Sequence, residues 1–306
     1  MITTPTVLIL GAGARYPYGF PTAKGLKELI CEAFSSPSSP PSVFLSEDCN
    51  FVPEQFFQFR EAFLKSGQPS VDAFLERRPK FLDVGKLAIA FCLMPFEREE
   101  KLYHPDPHRG GDWSEYLSVK LNSSFEEFGE NKLSIITFNY DRSLEHYLLN
   151  SLINLHGRTR DECASALEKI PIVHVYGQLG EQPYPKQGSH QYRADRVEHF
   201  IYVKTAAAGI KLYHEEAESA SARACELLRG AKCVCFLGFG YHPFNIARLN
   251  IGGSFDLSTT IIGTARGLIG MEVDHAKNRL SEAIGGQIAL TNDDNLDILR
   301  RHMFLG

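Results

Sequence analysis

Asn139, Asp141 and His174 are the side chains of this sequence best suited to chemistry, because each lies in or directly after a short apolar run. Asp141 alone suffices to cap the helix that follows, so Asn139 has no capping role left and is a candidate functional residue. His174 lies within the run Ile172 to Tyr176, where a lone histidine is also a common core residue. It is nevertheless the better base near pH 7, because a tyrosine phenol with a pKa of about 10 is protonated there.

Glycines follow two other apolar runs. Gly11-Ala12-Gly13-Ala14 comes after Thr6 to Leu10, and Gly238-Phe239-Gly240-Tyr241 comes after Cys233 to Leu237. Glycines between a strand and a helix let backbone N–H groups approach a phosphate, and the helix N-terminus adds favourable polarity. The dehydrogenase fingerprint G-x-G-x-x-G fails, because its third glycine falls at Tyr16. The two segments therefore predict a nucleotide site, and tight turns without a ligand are the alternative.

The candidate residues can act together only if secondary-structure elements place them close to one another. The apolar runs that precede them predict that these elements are β-strands. Most of the predicted strands end in small or polar residues, and Gly263-Thr264 follows the last of them. This pattern predicts an α/β fold, a Rossmann-like and mainly parallel open sheet flanked by helices, with its ligand crevice at the carboxyl ends of the strands. The predicted strands are Thr6–Leu10, Val43–Leu45, Leu133–Phe138, Ile172–Tyr176, Cys233–Leu237 and Thr260–Ile262. In an extended strand, His174 and Tyr176 face the same way, about 6.6 Å apart.

Residues 49–130 have a different texture from the rest of the chain. Phenylalanine and leucine recur there at helical intervals, with charges between them. This periodicity predicts a mostly helical insertion, and residues 1–48 and 131–306 then form the Rossmann-like core. Before the insertion, the serine- and proline-rich stretch Ser35 to Ser42 predicts a surface loop.

Composition narrows the classes of function. The chain of 306 residues carries a net charge of -5, which gives no electrostatic reason to bind nucleic acid. Its N-terminus lacks the features of a secretory signal, and no apolar stretch approaches the roughly 20 residues that span a bilayer. No C-x-x-C, H-x-x-H or H-E-x-x-H pattern occurs, which predicts reduced cysteines, no metal site and a cytoplasmic protein.

Together, the motifs resemble the sirtuin-like (SIR2) family, and in particular its bacterial anti-phage defence branch. Members of that branch open with a strand, Gly-Ala-Gly-Ala and a loop rich in proline and glycine, here Pro17-Tyr18-Gly19-Phe20-Pro21-Thr22. They also carry Thr-x-Asn-x-Asp, here Thr137-Phe138-Asn139-Tyr140-Asp141. A His-Gly pair follows a later strand in the family. In this chain Tyr176 precedes Gly177, and the histidine lies two positions earlier.

The resemblance implies that the chain hydrolyses NAD to nicotinamide and ADP-ribose. Asn139 then orders the attacking water or the ribose hydroxyls, and His174 is the general base, with Tyr176 as its substitute. The remaining implied contacts follow the course of the dinucleotide. They are Gly11, Ala12, Gly13 and Ala14 for the pyrophosphate; Tyr18, Gly19, Pro21, Thr22, Phe138 and Asp141 around the nicotinamide ribose; Gly238, Phe239, Gly240 and Tyr241 for the adenosine; and Gly263 and Thr264 for the adenine.

The resemblance also implies a biological setting. Defence enzymes of this type deplete NAD during phage infection, commonly with a HerA-type ATPase, and latency favours a homo-oligomer. Protein-deacylating sirtuins carry a zinc module with C-x-x-C pairs, which this chain lacks, so simple NAD hydrolysis is favoured. Two alternatives stay open: a catalytically silent NAD or ADP-ribose sensor or scaffold subunit, and a dehydrogenase.

Overall fold

One sheet of six short strands forms the centre of the fold. A parallel strand that is covered by helices on both faces buries its side chains, which is why most of these strands are apolar runs. The computed structural model describes residues 1–47, 51–180, 192–212, 214–249, 259–284 and 288–302. Its strands are all parallel, in the order β3-β2-β1-β4-β5-β6. They are β1 Thr6–Leu10, β2 Leu133–Thr137, β3 Ile172–His174, β4 Cys233–Leu237, β5 Thr260–Thr264 and β6 Ile288–Thr291. Helices flank the sheet, so the predicted open Rossmann-like α/β fold is confirmed.

Strand order and register place the candidate residues at one edge. The chain runs outward from β1 to β2 and β3, and then returns to β4 on the other side of β1. Leu10 is paired with Thr137 and with Leu237, and Thr137 is paired with His174. The carboxyl ends of these four strands therefore lie in one row, and the segments after them start side by side. A ligand crevice is expected where the strand order reverses, between β1 and β4.

The helices begin and end at ordinary signals. Thr22 caps the helix after the first loop by accepting a hydrogen bond from the N–H of Gly25 (3.3 Å). The α-helices are α1 Ala23–Ala33, α2 Pro40–Glu47, α3 Pro53–Lys65, α4 Val71–Arg77, α5 Leu82–Leu93, α6 Glu99–Tyr103, α7 Trp113–Leu121, α8 Ser143–His156, α9 Arg160–Leu167, α10 Phe200–Ala208, α11 His214–Arg229, α12 Pro243–Arg248, α13 Met271–Ile284 and α14 Asn295–His302.

The insertion predicted over residues 49–130 is mostly helical in its described residues, as its periodicity predicts. Its α5 is buried almost throughout and packs between α1 and α10. A cluster of phenylalanine rings joins α3 to α4 and to the turn before α5, with the Phe63 and Phe74 centroids 5.2 Å apart. Residues 48–50 lie outside the described residues, so the predicted boundary at residues 48 and 49 stays a prediction.

Two predicted strands differ from the structure. Val43–Leu45 lies in α2, because Pro40 and Pro41 suit the first turn of a helix and only Leu45 of the three apolar residues is fully buried. The strand predicted to reach Tyr176 ends at His174, where a turn closed by the Gly177 N–H and the His174 carbonyl begins (3.3 Å). The prediction that residues 174 and 176 lie on one extended strand is therefore wrong.

None of the described helices combines the length and the apolar character that crossing a bilayer requires. Cys233 and Cys235 lie on β4, where Cys235 is buried and Cys233 is half-buried, and both are free thiols. Burial raises the pKa of both thiols, so they act as packed apolar side chains. Cys49 lies outside the described residues.

Candidate functional site

The glycine turn after β1 lies against the glycine loop after β4. The N–H of Gly11 donates to the Leu237 carbonyl (3.0 Å), and the N–H of Gly13 donates to the Gly238 carbonyl (2.9 Å). A Cβ on Gly13 would lie 2.8 Å from the Gly238 Cα, and a Cβ on Gly238 would lie 2.1 Å from the Ala14 nitrogen. These glycines are required because two backbones approach each other. The amides of Gly11 and Gly13 are occupied by protein carbonyls, so neither can bind a phosphate in this arrangement.

The positions predicted for adenosine and adenine also contact one another. Gly238 and Tyr241 have φ of 56° and 50°, in the left-handed region that costs a non-glycine residue about 1–2 kcal/mol. The Tyr241 hydroxyl donates to the Thr264 carbonyl (2.9 Å), and the Gly238 N–H donates to Thr264 Oγ1 (2.8 Å). A Cβ on Gly263 would lie 2.2 Å from the Tyr241 hydroxyl. The Tyr241 side chain thus occupies the space that a side chain at position 263 would need, which explains the glycine there.

Aromatic rings cover the carboxyl ends of β2, β3 and β4. The ring of Phe138 lies 5.1 Å from that of Phe239 and 5.7 Å from that of Tyr176, between centroids. Gly240, the remaining glycine of this loop, is exposed, and a Cβ there would meet nothing within 4 Å. Of the predicted adenosine-side residues, Gly240 is the one that packing does not explain.

The predicted nicotinamide loop is fixed to α7. After Gly11 the chain forms a 3-10 helix, Ala12–Tyr18, and Gly19 ends it with φ 90°. The Tyr18 hydroxyl donates to Asp112 Oδ1 (2.9 Å) and accepts from the Ser114 N–H (2.9 Å), and the indole of Trp113 donates to the Ala14 carbonyl (2.7 Å). Tyr18 is buried by these contacts. The loop is therefore held in place by a helix of the insertion, and Pro21 and Thr22 lead from it into α1.

Asn139 lies beside the glycine turn. Its Nδ2 donates to the Gly11 carbonyl (3.0 Å), and its backbone N–H donates to Thr137 Oγ1 (3.1 Å). This amide orientation turns Oδ1 away from Gly11, and none of the described residues donates to that oxygen. Oδ1 of Asn139 can therefore accept a hydrogen bond from a water or a hydroxyl group.

His174 and Asn139 are in contact, and both nitrogens of the imidazole are engaged. Nδ1 lies 2.9 Å from the Asn139 carbonyl oxygen, and Nε2 lies 2.5 Å from Glu145 Oε1. Burial lowers the pKa of His174, but the Glu145 carboxylate and the two hydrogen bonds outweigh it, so the pKa is raised. Burial likewise raises the pKa of Glu145, but the imidazolium outweighs it and the pKa is lowered. Both ring nitrogens face oxygen atoms that can accept, an arrangement that favours the protonated imidazole, which donates from both nitrogens.

A second buried ion pair lies next to this one. Arg15 Nε is 3.2 Å from Asp141 Oδ1, and both side chains are 4% exposed. The same carboxylate oxygen accepts the N–H of Ser143 (3.0 Å), which satisfies a donor at the start of α8. Asp141 thus accepts a backbone hydrogen bond at the start of α8 and forms an ion pair with Arg15. Arg15 Nε and Nη1 are nevertheless buried without a hydrogen-bond acceptor among the described residues.

A third ion pair anchors the segment that carries these groups. Arg142 Nη2 lies 2.9 Å from Glu97 Oε2, and the two side chains are 3% and 0% exposed. Positions 141, 142 and 145 each hold one end of a buried ion pair. Removing one partner of such a pair leaves a buried charge, so the three pairs link the segment from Asp141 to Glu145 to Arg15, Glu97 and His174.

A polar cluster connects the insertion to this edge. The Tyr140 hydroxyl donates to Asp72 Oδ1, and the Tyr176 hydroxyl donates to Asn245 Oδ1 (2.9 Å). The Tyr140 and Tyr176 rings lie 6.3 Å apart. Arg248 pairs with Glu76 (2.6 Å). Burial raises the pKa of Tyr176, so its phenol is protonated at neutral pH. Tyr176 is therefore a hydrogen-bond donor to α12 and a poor substitute base.

The sequence did not reveal three residues of this edge. Glu145 shares a helix face with the apolar Leu149 and Leu152, and a charge on such a face is a usable signal. Arg15 follows the glycine turn and gives no sign of its burial. Asp72 carries no sign either, because its partner Tyr140 lies far away in the sequence.

The fold and the site define an open α/β protein with a helical segment over the carboxyl edge of its sheet. Searches against protein-family models, curated proteins and solved structures found no match to this chain. Within the described ranges, no group of three or more histidine, cysteine, aspartate or glutamate side chains is arranged to hold a metal ion.

Proposed function

We propose that the chain binds NAD at the carboxyl edge of its sheet and hydrolyses the bond between nicotinamide and ribose. The observation that carries this proposal is the contact between Asn139 and His174 beside the glycine turn, and that turn lies at the crevice between β1 and β4 where the strand order reverses. Ligands of open α/β sheets bind in that crevice. The resemblance of the motifs to the sirtuin-like family supplies the substrate and the reaction.

Two groups of the site fit a dinucleotide. Oδ1 of Asn139 is an acceptor for a ribose hydroxyl or for the attacking water. Arg15 is a buried cation with donors that lack acceptors, as a group that binds phosphate or ribose oxygens would be. In this proposal, Arg15 takes over the anion binding that the occupied amides of Gly11 and Gly13 cannot supply.

The reaction needs orientation and one proton acceptor. The bond between ribose C1′ and the pyridinium nitrogen breaks, and its electron pair neutralises the leaving nicotinamide. Water adds to C1′, and its proton passes to a base. A site that fixes the ribose and admits one water lowers the barrier by preorganisation. Asn139 is suited to orient that water, and the aromatic rings of Phe138 and Phe239 are suited to exclude others.

We assign His174 a positioning role in place of the general-base role that the sequence suggested. Both nitrogens of its imidazole are engaged by protein oxygens, so neither is directed at a water molecule in this arrangement. Through the hydrogen bond to the Asn139 carbonyl it fixes the backbone that carries the Asn139 amide.

The biological setting is proposed on the resemblance alone. It comprises NAD depletion in anti-phage defence, a cytoplasmic homo-oligomer and a HerA-type ATPase as a partner. The second candidate function is a silent NAD or ADP-ribose sensor, and the engagement of both nitrogens of His174 favours it, because a sensor needs no base.

One experiment separates these functions. The purified chain, alone and with an ATPase encoded beside it, is incubated with NAD, and nicotinamide and ADP-ribose are quantified by chromatography while NAD binding is measured by calorimetry. Equal amounts of the two products support the hydrolase. Binding without products under both conditions supports the sensor, and absence of binding contradicts both. NADH formed with an added alcohol or hydroxy acid would indicate a dehydrogenase.

A further inference from the structure

The proposed hydrolysis leaves one role without a residue, which is the acceptor of the water's proton. His174 and Glu145 are bound to each other, and Asp141 is paired with Arg15. The phenol of Tyr176 is protonated. The acceptor therefore has to come from another element packed on this edge.

Helix α4 of the insertion brings a carboxylate against the segment that carries Asn139. Ser70 caps α4 by accepting the Ala73 N–H (3.3 Å), and Asp72 lies in the first turn of the helix. The Asp72 carboxylate accepts a hydrogen bond from Tyr140, the residue that directly follows Asn139. Asp72 is half-buried where α4 packs against this aromatic edge.

The groups around Asp72 allow it to change its charge near neutral pH. Burial, with a smaller contribution from Glu76 on the same helix, raises the pKa of Asp72 to about 7 against hydrogen bonds from Ser70 and from its own backbone. The phenols of Tyr140 and Tyr176 face it from the segments after β2 and β3, and Arg248 of α12 is paired with Glu76. A base with a pKa near the working pH is the most effective one.

We propose that the carboxylate of Asp72, oriented by the Tyr140 hydroxyl, is the base that takes the proton from the attacking water. This inference rests on the proposed function. As water forms its bond to C1′, the proton moves to Asp72, and it passes to solvent after ADP-ribose leaves. The helical insertion is thus a part of the active site and supplies the base that the core lacks.

The test compares the rate of nicotinamide release against pH in four proteins. They are the full-length wild type, Asp72→Asn, Tyr140→Phe and the control Asp83→Asn, which makes the same change in the first turn of α5 at an exposed position. We expect the wild-type rate to rise with pH through an inflection near 7. Asp72→Asn should lose about 10²–10⁴ of kcat and the inflection, while NAD affinity is kept. Asp83→Asn should behave as wild type.

Tyr140→Phe removes a hydrogen bond to the charged form of Asp72, so the inflection should move to higher pH. This variant keeps the test decisive if Asp72→Asn does not fold. Asp72→Asn with wild-type rate and inflection, or Tyr140→Phe with an unmoved inflection, would overturn the assignment of Asp72 and leave the hydrolase intact. Wild-type protein that releases no nicotinamide, alone or with its partner ATPase, would overturn the proposed function itself and the role of Asp72 with it.

Discussion

Replacing Glu145 with glutamine removes the negative charge that faces His174 inside the protein. His174 Nε2 lies 2.5 Å from Glu145 Oε1, and the two side chains are 8% and 3% exposed, so solvent screens this ion pair little. Removing one partner of a buried pair costs about 3–5 kcal/mol. We expect the lower end, about 3 kcal/mol, because glutamine keeps a polar group beside Nε2. For a chain of this length each kcal/mol lowers Tm by about 2 °C, so the expected loss is about 6 °C.

The size of this loss depends on pH. The raised pKa of His174 means that its contribution to stability is complete below its unfolded pKa of about 6.5 and is lost as pH rises through the folded value. The lowered pKa of Glu145 means that its contribution is complete above about 4.3 and is lost as pH falls through the folded value. The difference between wild type and Glu145→Gln should therefore be largest between about pH 4.5 and 6.5, and should shrink at alkaline pH.

Thermal melting followed by circular dichroism across this pH range measures the difference. Glu115→Gln is the matched control, since Glu115 also lies in the first turn of a helix but is exposed. We expect this control to melt close to wild type at every pH. If Glu145→Gln also melts with wild type near pH 6, or if its loss is the same at every pH, His174 is not the paired cation described above.

Three further variants test the packing and the roles of the site. Gly238→Ala places a Cβ 2.1 Å from a backbone nitrogen and should cost more than about 2 kcal/mol in chemical denaturation, whereas Gly240→Ala meets nothing and should be neutral. Equal stability of the two would contradict the close approach of the backbones. His174→Gln should lower kcat about 10- to 100-fold through misplacement of the amide it supports, but keep the inflection near pH 7 in the rate; loss of the inflection would restore His174 as the base. Tyr176→Phe loses one hydrogen bond to Asn245 and should cost about 0.5–1.5 kcal/mol with nearly unchanged turnover, and a large loss of kcat would show that the phenol takes part in the reaction.

The sheet could be predicted because its strands are short apolar runs that end in glycine or polar residues. β1, β2, β4 and β5 were predicted to within a few residues. β6 was missed because its four residues, Ile288–Thr291, form a short run that includes an alanine and ends in a threonine, and only Leu290 of them is buried. Val43–Leu45 was assigned to a strand because a run of three apolar residues is compatible with a strand and with a buried helix. The two prolines before it favour the start of a helix.

The candidate site could be predicted only in part. The motifs brought Asn139, His174 and the glycine turn together correctly, since strand ends of a parallel sheet share one edge. The spacing could not show that both nitrogens of His174 are engaged, because that depends on Glu145 in the next helix. Asp72 could not be found at all, because its contact with Tyr140 joins two segments that only the tertiary fold brings together.

The claim that Asn139 acts on the reaction, and does more than hold the glycine turn, has a direct test. Asn139 Nδ2 donates to the Gly11 carbonyl (3.0 Å), and Asn295 Nδ2 donates to the Gly13 carbonyl of the same turn (3.1 Å). Nicotinamide release is measured for Asn139→Ala and Asn295→Ala under conditions where the wild type turns over. We expect Asn139→Ala to lose at least about 100-fold in kcat and Asn295→Ala to keep most of its turnover. Equal losses in the two variants would contradict a role of Asn139 in the chemistry.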